Sequence, residues 1–232
     1  MENVQSLLGL TSPPIGIAFL DSAPEGIKQW DGAAAPAGCA FWRQAMKGET
    51  FYTVPADHHN CAVGSHTHAI SLPPERAKEL EETIGFMVSN GYIRMEEVPA
   101  IPTQKTQPAA VAYGPVGATA FKPDVVIIAA PAATAMLVYE AAVRAGACDM
   151  SASILGRPGC AGIPFASQTG KAGLSFGCKG NRTFTGLGDG ELYFFVPGAS
   201  WDAVAAELPA VAGANRTMGA YYTQKQSQFP IL

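Results

Sequence analysis

The chain is poor in charge and in histidine. Of its 232 residues only 15% are charged, 48% are apolar, and the net charge is -4 with no run of Lys or Arg. That argues against a nucleic-acid or anionic-membrane partner, whose electrostatic attraction needs a basic patch. Eighteen consecutive apolar residues occur nowhere, so no membrane span is expected. The opening MENVQSLLGLTSPP lacks a basic segment followed by an apolar run, so it does not read as a signal peptide, and the expected location is cytoplasmic. Several catalytic signatures are missing as well: G-x-x-x-x-G-K-[ST], G-x-G-x-x-G after a strand, H-E-x-x-H and G-x-S-x-G. Without C-x-x-C or C-x-x-C-H, thioredoxin-like chemistry and covalent c-type haem are not expected. GLGDG (Gly186 to Gly190) is only a turn, with no following helix to cradle a phosphate.

What remains suits one domain of residues 1–232 with extensive burial. Strands are expected at Ile15 to Leu20, in AAVAYGPV, in DVVIIAA and in ELYFFVP; DVVIIAA, being continuously apolar, should be buried on both faces. Helices are expected in AFWRQAMKGETF, with Gly48 at its C-terminal end, in PAATAMLVYEAAVRAGA, ending at Gly146, and in SWDAVAAELPAVAGA with Ser200 as N-cap. The firmest helix is SLPPERAKELEETIGFMVSNGYI, with Ser71 as N-cap and Leu80, Ile84 and Met87/Val88 as its buried stripe. Val98 to Pro108 reads as a surface connector, Cys148 to Gly190 as loop and short strands over a site, and YYTQKQSQFPIL as an irregular tail. Strands and helices alternate without a clean βαβ rhythm. The expected class is α+β, a mixed α/β sandwich of two pseudo-symmetric halves sharing one core.

Cysteine and histidine are unevenly placed. All four histidines, His58, His59, His66 and His68, fall within HHNCAVGSHTH, around Cys61. GCAFWRQAMKGETFYTVPADHHNCAVG and GCAGIPFASQTGKAGLSFGCKG each open with Gly-Cys-Ala and close with a second cysteine ahead of a glycine, spaced C-x21-C and C-x17-C. Each follows an apolar strand with prolines around it. An internal duplication of residues 1–97 and 109–197, with a helix and tail over 198–232, would bring Cys39 and Cys61 against Cys160 and Cys178. Four thiolates suit a tetrahedral metal ion or an iron–sulfur cluster. The plainer alternative is that these are small buried hydrophobes, since no short C-x2-C knuckle accompanies them. Cys148 matches neither half and reads as a packing thiol.

In an extended segment His66 and His68 would point the same way, and His58 or His59 could join them as ligands. Asp57 could orient a ring from behind. The alternative is a polar loop facing water. In SFGCKGNRTF, Lys179 and Arg182 flank Cys178 in a glycine-rich turn whose cations could lower the thiol pKa or clamp a carboxylate or phosphate; an ordinary surface loop is the other reading. Arg157 precedes Cys160 and Arg43 follows Cys39, a distribution that fits an anionic cofactor.

The blocks LLGLTSPPIGIAFLD, GCAFWRQAMKGETFY, HHNCAVGSH, PDVVIIAAPAATAM, GRPGCA and SFGCKGNRTF…GDGELYFFVP resemble, in this order from about Leu7 to Pro197, the prokaryotic family known as domain of unknown function 169. The resemblance implies one family-length domain from a bacterium or archaeon, often an anaerobe, and no particular activity. It also implies cysteines like Cys39, Cys61, Cys160 and Cys178 and none like Cys148. Relatives often carry Asn-Pro after the buried strand, where this chain has Ala130-Pro131.

The function expected is that of a cytoplasmic metal-cofactor protein with a redox or cofactor-handling role. Cys39, Cys61, Cys160 and Cys178 are the ligands of an iron–sulfur cluster, and Arg157, Lys179, Arg182, His58, His59, His66 and His68 line the site. Its partners are that cofactor and, for a redox role, a partner protein. The rivals are a haem or other tetrapyrrole binder, a single transition-metal ion site, a thiol enzyme with Cys61 or Cys178 as nucleophile and a histidine base, and a metal-free module for small ligands.

Overall fold

The computed structural model describes residues 4–118 and 120–228. Its centre is a seven-stranded sheet in the order β2-β3-β1-β4-β7-β6-β5, formed by β1 (Ile15–Leu20), β2 (Phe51–Thr53), β3 (Ala110–Pro115), β4 (Val125–Pro131), β5 (Ser153–Leu155), β6 (Gly173–Ser175) and β7 (Glu191–Pro197). Every neighbouring pair is antiparallel except β5 with β6. The class is α+β, as expected.

Alternation along the strands sends side chains to two cores. Val126 and Ile128 of β4 and Phe194 and Val196 of β7 face helices α1 (Val4–Leu8), α5 (Ala132–Arg144) and α8 (Trp201–Gln226). Val125, Ile127, Tyr193 and Phe195 face the other way, toward α2 (Ala40–Met46) and α6 (Gly162–Thr169). On this second side also lie α3 (Ala62–Thr67), α4 (Pro74–Ser89) and α7 (Lys179–Thr185). DVVIIAA is buried on both faces because each core claims alternate residues.

Read outward from the β1–β4 pair, the sheet repeats itself. The first half runs β1, β3, β2 and the second β4, β7, β6. In each half the chain passes from the central strand to a helix headed by a cysteine, an outer strand, a helix capped by a cysteine, and the middle strand. The registers agree as well: Ile15 pairs with Pro115, and Val125 pairs with Pro197, so each middle strand ends on a proline opposite the start of its central strand. Two additions break the symmetry, α4 in the first half and α5 with β5 in the second.

Several expectations fail for identifiable reasons. The segment Cys148 to Gly190 is not mainly loop: it holds α6 and α7. Pro164 hides α6 from a sequence reading, yet it lies in the first turn, where a helix makes no N–H bond to lose. α4 begins at Pro74 with Pro73 as its N-cap, not Ser71. None of its residues is buried, so Leu80, Ile84 and Met87 form a half-covered stripe. The tail is helical through Gln226, with Pro209 inside α8; Phe229 to Leu232 lie outside the described residues. Ser200 precedes α8 as expected, although its side chain makes no capping bond. No helix among the described residues is long and apolar enough to cross a membrane.

Candidate functional site

A cavity of about 450 Å³ opens on the second face, and Cys39, Cys61, Cys160 and Cys178 all line it. The fold explains their convergence. Cys39 heads α2 and Cys160 stands in the 3-10 turn Gly159–Ala161 that runs into α6, while Cys61 and Cys178 are the N-caps of α3 and α7. The two capping thiols are held alike: Sγ of Cys61 accepts from the Gly64 amide at 3.3 Å, and Sγ of Cys178 accepts from the Asn181 amide at 3.4 Å. A Cβ on Gly64 would stand 2.8 Å from the Cys61 sulfur, so the third helical position there must be bare.

Burial pushes the Cys39 thiol up to about 12, and the nearby charges of Cys61 and Cys178 add to the rise. Cys61 is raised by burial and by Cys178. Burial raises Cys160 well above the usual thiol range, with further contributions from Cys61, Cys178 and Cys39. Each of these thiols therefore senses others of the set. Cys148 lies in the opposite core, raised by burial and by Asp149, and touches none of them. Among the described residues, no three or more His, Cys, Asp or Glu side chains are grouped so as to hold one metal ion.

Asn181 was not anticipated. It is 2% exposed, its Oδ1 accepts from the Cys178 amide and thiol at 3.2 Å, and its side chain also offsets part of the rise that burial imposes on the Cys39 thiol. Its influence thus reaches a thiol of each half. A Cβ on Gly159 would overlap Asn181 Oδ1, which requires glycine there. The available signal was the C-x-x-N spacing, a capping-box pattern with sulfur in place of a hydroxyl. Thr67 also meets a thiol: its hydroxyl donates to the Gly64 carbonyl at 2.9 Å, so its 3.4 Å contact with Cys160 has the thiol as donor.

The histidines divide. His66 lies in α3 and His68 is its C-cap, so the extended H-x-H expectation is corrected: helical spacing leaves His66 exposed and His68 buried, although both line the cavity. His58 is buried behind the wall, and His59 is also absent from the lining. Thr53 Oγ1 donates to the Val111 carbonyl at 3.2 Å, so its 2.8 Å contact with His58 Nε2 assigns the proton to Nε2. The His58 and His68 rings meet edge-on at 5.9 Å, and His68 also meets Phe19 at 5.3 Å. Asp57 accepts from the Val54 amide at 2.8 Å, closing its own turn.

Of the cations, Arg157 and Lys179 line the cavity, and Tyr92 holds both: Arg157 stacks 4.5 Å above its ring, and its hydroxyl accepts from the Lys179 amide at 3.0 Å. Arg182 does not line it. Its guanidinium donates to the carbonyls of Gly188, Phe176 and Glu191, work that fixes the α7–β7 turn. Arg43 points instead into a second hollow beside Gly186. An arginine beside each of three cysteines in sequence thus becomes a single arginine at the cavity.

Burial holds His68 down to about 4 and His58 down to about 3, the latter also through His68 and His59. Both are neutral when folded, whereas an unfolded histidine titrates near 6.5. The unfolded chain therefore binds more protons between these values, and stability is lost as pH falls from about 6.5 toward 4. Urea midpoints across that range should drop less steeply in His68→Phe than in the unaltered protein, by roughly 1–3 kcal/mol at the acid end. Parallel profiles would remove His68 from this account.

These features define an α+β protein whose topologically equivalent halves each deliver two cysteines to one cavity. The model of the family domain of unknown function 169, described as Uncharacterised ArCR, matches residues 3–207, and the chain belongs to that family. No curated protein and no solved structure matches the chain.

Proposed function

We propose that this protein binds an iron–sulfur cluster through Cys39, Cys61, Cys160 and Cys178 and serves a redox or cofactor-handling role in the cytoplasm. One observation carries the reading: four of the five cysteines, two from each half, line the same cavity. All five are free thiols, in keeping with a reducing compartment. A single ion bound at ~2.3 Å would need its sulfurs within a few ångströms of each other. A cluster spreads its ligands further, because its thiolates are shared among two or more irons. The lack of a ready single-ion group among the described residues therefore weighs against a mononuclear site more than against a cluster.

With pKa values raised, Cys39, Cys61 and Cys160 are neutral SH groups, so loading a metal must release protons. The Gly64 and Asn181 backbone amides would then supply hydrogen bonds at the Cys61 and Cys178 sulfurs, the kind of contact that sets the potential of such a centre.

Protein purified without oxygen should be brown, with broad absorption near ~400 nm that bleaches on reduction. A sharp Soret band would favour tetrapyrrole binding instead. A colourless protein that stays colourless after incubation with ferrous iron and sulfide would remove the cluster reading.

A further inference from the structure

Beyond the thiols, most of the cavity is unaccounted for. Its outer wall is α4, whose Leu80, Ile84 and Met87 line the cavity and are only half-buried. An apolar stripe usually seals against a core; here it borders open space large enough for a small organic molecule. On the inner wall stands His68, 1% exposed, with neither Nδ1 nor Nε2 partnered among the described residues. A buried imidazole with two unmet hydrogen bonds is costly unless something in the cavity meets them.

The rim adds charge of one sign. Arg157 and Lys179 are exposed, line the cavity, and take part in no ion pair among the described residues. Glu79 also lines it, but Arg76 binds that carboxylate at 2.7 Å. The acid of the rim is thus neutralised, and its two cations are not.

We propose that the cavity holds, beside the thiol set, a subsite for a small carboxylate with an apolar body. The carboxylate lies at Arg157 and Lys179, the body lies along Leu80, Ile84 and Met87, and a polar atom reaches His68. Tyr92 supports the anion end by keeping the Arg157 guanidinium stacked and the Lys179 backbone anchored. This subsite shares the cavity of the proposed cluster but does not depend on the cluster being present.

The test is calorimetric titration of the protein as purified with benzoate, phenylacetate and octanoate, each set against its neutral amide, with acetate as the bodiless control. At least one of the three carboxylates should bind about tenfold or more tightly than its amide, as a charge-assisted contact implies. Acetate should bind far more weakly for want of apolar burial. Arg157→Gln and Lys179→Gln should each erase most of the preference for carboxylate while leaving amide binding in place, and added salt should do the same in part. Leu80→Asp should weaken acid and amide alike. His68→Phe should weaken whichever ligand the unaltered protein prefers.

Equal affinity for acids and amides, or no binding by any of the three carboxylates, overturns the proposal. So does a preference that survives both cation substitutions. Absorption spectra of the same samples report the thiols separately: carboxylate binding by protein that stays colourless after incubation with ferrous iron and sulfide would sink the cluster reading alone, and brown protein indifferent to carboxylates would sink the subsite alone.

Discussion

Replacing Cys61 or Cys178 by serine should abolish the ~400 nm absorption and most of the bound iron, while Cys148→Ser should leave both unchanged. The contrast follows from position. Cys61 and Cys178 cap helices on opposite halves and both line the cavity, whereas Cys148 is sealed in the core beneath α5 and α8. Serine keeps the cap at either position, because its hydroxyl accepts from the same amide of Gly64 or Asn181. Loss of iron without loss of fold is therefore the expected outcome, checked by iron analysis beside circular dichroism. Cys39→Ser and Cys160→Ser should also lose iron, with a larger stability cost because both thiols are buried. Iron content equal in all five variants would return the cysteines to the role of small packing residues.

The largest stability effect should come from Trp42→Ala. Trp42 is fully buried on α2, one turn after Cys39, and meets Tyr193 edge-on at 5.3 Å and Phe195 at 6.2 Å. It is the wedge between the first half's cysteine helix and the second half's middle strand. Truncation to alanine should cost about 3–5 kcal/mol in denaturant unfolding. Trp42→Phe should recover most of that, since the indole Nε1 has no partner among the described residues and its removal deletes an unmet donor. A loss below about 1 kcal/mol for alanine would mean that the halves are held together elsewhere.

Strands with two buried faces were the most legible part of the sequence. β1 and β4 appear where apolar runs placed them, because burial on both sides leaves an uninterrupted signal. The separation of Cys148 from the other four was legible too, since Gly-Cys-Ala recurs and Cys61 and Cys178 each precede a glycine by two or three residues, at equivalent points of the two halves. Short helices were not. α6 and α7 have eight and seven residues, too few for periodicity to speak, and their glycines imitate loop. The stripe of α4 was found, but what it faces could not be read, because an apolar side chain looks the same beside a core and beside a cavity. The cations misled for a related reason. Sequence neighbours of a cysteine on a helix point in different directions, so Arg43 and Arg182 turn away from thiols that Arg157 overlooks.

The mismatch between the halves has its own consequence. Where the first half inserts α4 between its capping cysteine helix and its middle strand, the second half makes only the turn Gly186 to Gly190. The thiols are arrayed with near-mirrored roles, yet the enclosure around them is roofed from one side only. A guest arriving there would meet two similar pairs of sulfurs, but the apolar helix α4 on one side and, among the described residues, the cations Arg157 and Lys179 on the other. Orientation would thus be imposed by the roof, not by the cysteines: a molecule with distinct ends would have one way to lie.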